Sequence, residues 1–393
     1  MSRELFTRNP DEKHGFDYQM CILSVIGIFF VILGHLKNDG TSLGTFNGWF
    51  PYYSFHLPIF LFISGYFFRD LPTHKAVKGF TAFVWKKMKT LLLPYFVING
   101  LFLLFNLLAA NWGFTYGYRF SLVKWLLYPW TRLYVVTYSA PTWYLIGFFI
   151  AEIYFCLLRQ IFLRILKKDL LRELALWILT LFLGIAAIYY NNSADLTETA
   201  QVYLRSVPML FFLQTGFVYR NYLKKKDTLK NVWYFLILFA AQFLLIVLLK
   251  NDAMNPQLYE LTGFDRFGMN YFIAGIAGIA LWLRISRLIV QIPGKSRLLI
   301  FIGNNTKYIM SFHVFGFFLL NGLLEFLYKN KIGMTFLKGF SSQNYHTYLY
   351  YSFIDNPRMI LLYFLAGLGV SLAFAKGIEL VRNLLYKRVS SSL

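Results

Sequence analysis

Three of the six histidines in this chain, His35, His56 and His313, fall within or at the ends of strongly apolar runs. An ionisable side chain in such a place is destabilising, so by default it marks function. Near neutral pH an imidazole can take the proton of a hydroxyl, or carry a transferred group for a moment as a nucleophile. His35 closes SVIGIFFVILGH and His56 opens the run in SFHLPIFLFISGYFFRD. The plainer reading of each is an interfacial histidine satisfied by a loop carbonyl. Asp39 stands four residues after His35 and would orient its ring if the helix ran that far, although LKNDGTSLG reads as a loop.

A second kind of chemistry is offered by FVWKKMKTLLLPYF, where Lys86, Lys87 and Lys89 precede an apolar run. Lysines so placed set membrane topology; they are also good partners for phosphates. The motifs of other enzyme classes are missing from the sequence: there is no Walker-type loop, no GxSxG elbow, no HExxH and no Cys/His cluster with zinc spacing. Cys21 and Cys156 both lie inside apolar runs, so no disulfide framework is expected.

The elements that must position these groups are legible from composition. The chain is 58% hydrophobic, 20% aromatic and 15% charged, with a mean hydropathy of +0.51, which no ordinary soluble domain shows. Apolar runs long enough to cross a bilayer core of about 30 Å recur from end to end. The expected fold is an all-α integral membrane bundle of ten spans, at 19–36, 52–68, 90–110, 142–162, 174–190, 203–219, 232–249, 269–283, 308–327 and 359–375. The net charge of +21 sits in Lys/Arg clusters between runs, at 69–89, 159–172 and 220–230. That is a topological pattern and gives no sign of a nucleic-acid partner; it places both termini in the cytoplasm. The segment 1–18 is read as a cytoplasmic lead into a retained first helix, 376–393 as a cytoplasmic tail, and the whole as a single membrane domain. On this reading His35, 16 residues beyond Gln19, lies about 24 Å up the first helix, near the outer surface. The links 111–141 and 328–357 are long and aromatic, fit either for interfacial anchoring or for stacking a sugar.

Together these segments resemble a known family. SFHLPIFLFISGYFF resembles the second-span signature of the acyltransferase 3 family of integral-membrane O-acyltransferases, most of all the branch resembling fucose 4-O-acetylases. In the same order, VILGH resembles the end of that family's first span, KKMKTLLLPYF its third-span opening, APTWYLIGFF its Trp-Phe-Leu segment with Trp143 in the Trp position, and IGNNTKYIMSFH its late element ending in His313.

The resemblance implies an O-acetyltransferase that takes its acyl group from cytoplasmic acetyl-CoA, with no permanently bound cofactor, and delivers it to a sugar hydroxyl of a surface polysaccharide or lipid-linked precursor in a bacterial plasma membrane. His35 would be the catalytic histidine, with His56 orienting the acceptor or sharing the proton. Lys86, Lys87 and Lys89 would grip the CoA phosphates. Trp143, Ser64 and His313 would line the acceptor pocket, Trp143 stacking a sugar ring while Ser64 and Gly65 let helices approach closely. One departure stands out: family members usually carry Arg or Lys eleven residues before the first-span histidine, and here that position is Ser24. Either another cation such as Lys13 or Arg205 substitutes, or the donor pocket is altered, or the protein is inactive. The soluble hydrolase-like domain of some relatives has no counterpart here. A polysaccharide exporter or a catalytically inactive scaffold of an envelope complex are the alternatives to an enzyme.

Overall fold

Lipid offers no partner to backbone N–H and C=O groups, so runs this apolar close their hydrogen bonds internally as helices. The computed structural model describes residues 16–36, 48–72, 76–111, 121–132, 137–249, 258–259, 261–264, 268–335, 337–338, 340 and 359–391. Its architecture is helical, and among the described residues seven helices are long and apolar enough to cross a bilayer.

The centre is built on α1 (Tyr18–Gly34) and α2 (Tyr52–Phe67). Asp17 caps α1, its carboxylate accepting from the Met20 N–H at 3.1 Å. The same carboxylate accepts from the Tyr66 hydroxyl at 2.8 Å, while at the other end Tyr53 donates to the Gly34 carbonyl at 2.7 Å. The two helices are therefore antiparallel. α9 (Met209–Val218) closes onto α2 through paired glycines. A Cβ on Gly65 would overlap the Leu213 carbonyl oxygen, and one on Gly216 the Phe62 carbonyl oxygen. Such close backbone approach is how helices gain packing energy where lipid supplies no hydrophobic drive. Gly216→Ala should accordingly lower stability by about 1–3 kcal/mol, read as a lower melting temperature in detergent. Gly369→Ala, at a position with open space around it, should change little.

α12 (Arg297–Asn304) and α13 (Thr306–Lys329) run beside α1, and α14 (Ile360–Ser391) returns along α13. Tyr18 accepts from the Ser296 N–H at 3.1 Å, Ser24 reaches the Gly303 carbonyl at 3.5 Å, and Phe312 stacks on Phe374 with ring centres 4.5 Å apart. α11 (Met269–Val290) brings Gly275 and Gly278 against α2. The outer elements are α3 (Ala76–Lys87), a π-helical turn over Met88–Leu92, α4 (Leu93–Asn111), α5 (Leu122–Thr131), α6 (Trp143–Ile165), α7 (Asp169–Ser193), α8 (Glu198–Leu204) and the apolar, outward-facing α10 (Asn231–Leu249). The basic clusters gather at one end of the bundle: Lys224 meets Asp17 at 3.4 Å, Arg220 donates to the Tyr66 carbonyl at 3.1 Å, and Arg284 and Arg287 meet Asp227 at 3.2 and 3.3 Å.

Four expectations change. The run 203–219 is not one helix: α8 ends at Leu204 and α9 starts at Met209, because Pro208 has no N–H for the helical ladder and disfavours the helical region for Val207. The basic link before the third run is helical from Ala76, and it joins α4 through the π turn. The segment beyond 375 is no loose tail, since α14 continues to Ser391. Arg159, counted among loop cations, lies inside α6 and is 0% exposed.

Candidate functional site

The local sequence fixes each histidine in the same manner. His35 donates from Nδ1 to the Val31 carbonyl at 2.7 Å, His56 to the Tyr52 carbonyl at 2.7 Å and His313 to the Ile309 carbonyl at 2.9 Å, each four residues back on its own helix. A carbonyl oxygen only accepts, so Nδ1 carries the hydrogen, and in the neutral ring the lone pair belongs to Nε2. Three imidazoles are thus pre-set as bases through Nε2. The rings of His35 and His313 meet edge to face with centres 4.9 Å apart, and His56 lies within electrostatic reach of His35. His313 is 0% exposed, and its Nε2 has no hydrogen-bond partner among the described residues.

α1 runs beside α12 and the start of α13, from Ser24 and Gly303 to the two histidines. His35 stands at the C-cap of α1, the end of the first helix, while α13 continues sixteen residues beyond His313 to Lys329, about 24 Å. A helix length counted from one terminus cannot reveal that a neighbour extends beyond it.

Toward the basic end a second cluster forms. Lys87 pairs with Glu152 at 2.7 Å, and Glu152 is 0% exposed. Ser64 donates to the same carboxylate oxygen, Oε1, while Oε2 has no partner among the described residues. Ser64 lies eight residues beyond His56 on α2, about 12 Å nearer the basic end. Gly65 alone makes the close helix contact expected of both. The lysines divide: Lys87 points inward over the Phe83 and Phe148 rings, whereas Lys86 and Lys89 lie on the exposed side, Lys89 over Trp85 at 4.8 Å. Lys89 itself lies in the π turn that follows α3.

Glu152 escaped sequence reasoning, although one carboxylate within the apolar run after Trp143 was the available signal. The same holds for Arg159, which reaches Asp70 at 2.6 Å, Glu173 at 2.8 Å and Gln214 at 3.0 Å and stacks 3.5 Å from the centre of the Phe217 ring.

Trp143 stands apart from these clusters, against Arg205 and Tyr259. Its neighbour Tyr144 donates to the Leu57 carbonyl at 3.2 Å, which places the start of α6 level with His56. Ser24 donates to the Cys21 carbonyl at 2.7 Å and faces α12; Arg205, beside Trp143, is no substitute for a cation there. Lys13, Asp39, residues 112–120 and 133–136 of the first aromatic link and most of the second lie outside the described residues, while α5 and the turn over Thr137–Thr142 lie within the first.

Two imidazoles in contact, with a third on the neighbouring helix, can take and return protons, and cations stand at one end of the bundle. No curated protein and no solved structure matches the chain. The model of a family described as an acyltransferase domain matches residues 22–387, and with its apolar helices this identifies the chain as a multi-pass membrane protein belonging to the acyltransferase 3 family.

Proposed function

We propose that this protein is an O-acetyltransferase that moves an acetyl group from acetyl-CoA, bound from the basic, cytoplasmic end, to a sugar hydroxyl of a cell-surface polysaccharide or its lipid-linked precursor. The observation that carries the reading is the histidine cluster: three rings tethered through Nδ1, two of them in contact, inside a member of an acyltransferase family. It would work as a single ten-span domain of a bacterial plasma membrane, with both termini in the cytoplasm.

In the proposed reaction the acceptor hydroxyl attacks the thioester carbonyl while His35 Nε2 takes its proton. The tetrahedral intermediate collapses, the carbon–sulfur bond breaks, and the proton returns to the CoA sulfur. His35 is assigned as the base because its ring meets that of His313 and it ends α1 beside the start of α2, which carries His56; His313 and His56 orient the reactants and share the proton. The donor arm would follow α2 from Ser64 to His56. The phosphates fall to Lys86 and Lys89, which lie on the exposed side of this segment. The double variant Lys86→Gln/Lys89→Gln should raise KM for acetyl-CoA about tenfold with little change in kcat, and leave KM unchanged for an acetyl thioester that lacks phosphates.

The reading is tested on protein in nanodiscs given radiolabelled acetyl-CoA without acceptor, following CoA release and label on the protein. Release of CoA that depends on the protein supports it, and label left on the protein would replace direct attack by an acyl-enzyme step. Failure to bind or turn over acetyl-CoA, with other acyl-CoA donors and crude envelope acceptors failing too, would favour a scaffold or an exporter, and Ser24 in place of a cation is the feature that fits a scaffold.

A further inference from the structure

α14 carries a surface that the histidine chemistry leaves unused. Ala373, Gly377 and Val381 follow one another at intervals of four residues and so share a face of the helix. Gly377 has no heavy atom within 4 Å of where a Cβ would stand. With Phe374, Ile378 and Arg382 these residues line an open groove of about 700 Å³, apolar except at Arg382. Its back is fixed, because Phe374 stacks on Phe312 of α13 at 4.5 Å and Ile378 packs against the same aromatic cluster. From Ala373 to Arg382 the helix rises about 14 Å, close to half of a bilayer core of about 30 Å.

The groove ends on charge that nothing described neutralises. Lys307, in the first turn of α13, holds its ammonium 5.0 Å from the centre of the Tyr308 ring. Arg382 of α14 lies within electrostatic reach of both Lys307 and Tyr308. Two cations thus face each other where α13 begins, at the basic end of the bundle. Neither pairs with a carboxylate among the described residues. α13 and α14 contain one acid each, and both are engaged elsewhere: Glu325 meets Lys329 at 3.0 Å, and Glu379 meets Lys376 at 2.9 Å. Like charges so placed repel, and an anion between them removes the cost. A phosphate suits the guanidinium fork, and basic pockets between membrane helices are where anionic lipid headgroups bind.

We propose that this seam between α13 and α14 holds an anionic phospholipid of the leaflet at the basic end, its phosphate between Lys307 and Arg382 and one acyl chain along Ala373, Gly377 and Val381. The apolar floor selects the lipid over a soluble phosphate, because its length matches one leaflet. Through Phe374 and Phe312 the bound lipid braces the helix that carries His313. The proposal goes beyond the acyltransferase reading and holds whichever acyl donor is used.

The experiment measures lipid retained by the full chain, by native mass spectrometry, with dioleoyl phosphatidylglycerol and dioleoyl phosphatidylcholine as probes of equal chain length. We expect wild type to hold the phosphatidylglycerol about tenfold more tightly. Lys307→Gln/Arg382→Gln should bind the two lipids alike, and Gly377→Phe, which fills the groove, should weaken retention of phosphatidylglycerol about tenfold. Lys225→Gln/Lys226→Gln, which removes two exposed cations elsewhere at that end, should keep the preference. Melting in phosphatidylcholine nanodiscs checks folding; if the double variant at the seam melts early, the exposed single variant Arg382→Gln decides. Equal retention of the two lipids by wild type, a preference that survives the substitutions at the seam, or one lost equally on removing Lys225 and Lys226 overturns the proposal. Displacement of the lipid by glycerol 1-phosphate at equal affinity would make this a site for free phosphate, and tenfold tighter binding of a polyprenyl phosphate would give the groove to the carrier of a lipid-linked substrate; either result overturns the assignment to a phospholipid.

Discussion

His35→Ala should slow acyl transfer by about 10³-fold, within the 10²–10⁴ range of a lost general base, and leave the KM for acetyl-CoA nearly unchanged. The reason is geometric. The ring of His35 is fixed by its Nδ1 bond to Val31 and borders His313, so on the proposed mechanism its loss removes the proton acceptor while the cations proposed to hold the phosphates remain. His313→Ala and His56→Ala should each cost less, about 10–100-fold, because each leaves His35 in place. If these two orient His35 or the acceptor, the losses should not multiply in double variants with His35→Ala. The measurement is the initial rate of acetyl release per folded protein, with melting temperature confirming equal folding. More than a tenth of wild-type activity in His35→Ala would remove this residue from the chemistry.

Arg159→Leu should produce the largest loss of stability. The guanidinium is 0% exposed and spans Asp70, Glu173 and Gln214, and Glu173 is itself 2% exposed. Removing the cation strands a buried carboxylate, for which about 3–5 kcal/mol is the usual cost. Arg172, at 3.1 Å from Glu173, stays behind and holds the loss toward the lower end. Arg159→Lys should recover only part, because a point charge cannot satisfy partners on three sides at once. Arg159→Leu combined with Glu173→Leu should regain stability relative to the single variant, since no unpaired carboxylate is then left buried. Melting in detergent, read by size-exclusion of the surviving fraction, checks all three. An Arg159→Leu protein as stable as wild type would mean that the network is hydrated and contributes little.

By itself the sequence determined that the chain is a helical membrane protein and which family it belongs to, and it pointed to the three histidines. Runs such as SVIGIFFVILGH leave no other way to satisfy a backbone in lipid, and a titratable ring in such a run announces itself by its cost. Lone charges in apolar runs carry the same signal, so Glu152 and Arg159 were visible but could not be matched with Lys87 or with Asp70 and Glu173, which lie far away in sequence. Which residues pair, and how far neighbouring helices run past them, belong to the tertiary structure alone. Only packing shows that His35 meets His313 across 278 positions of chain, that α13 runs on past both, that Lys87 turns inward while Lys86 and Lys89 do not, and that Arg205 stacks on Trp143. The physical reason is that hydrophobicity acts on each segment separately and without direction, whereas ion pairs, ring contacts and glycine-mediated helix approach depend on which faces of distant helices are brought together.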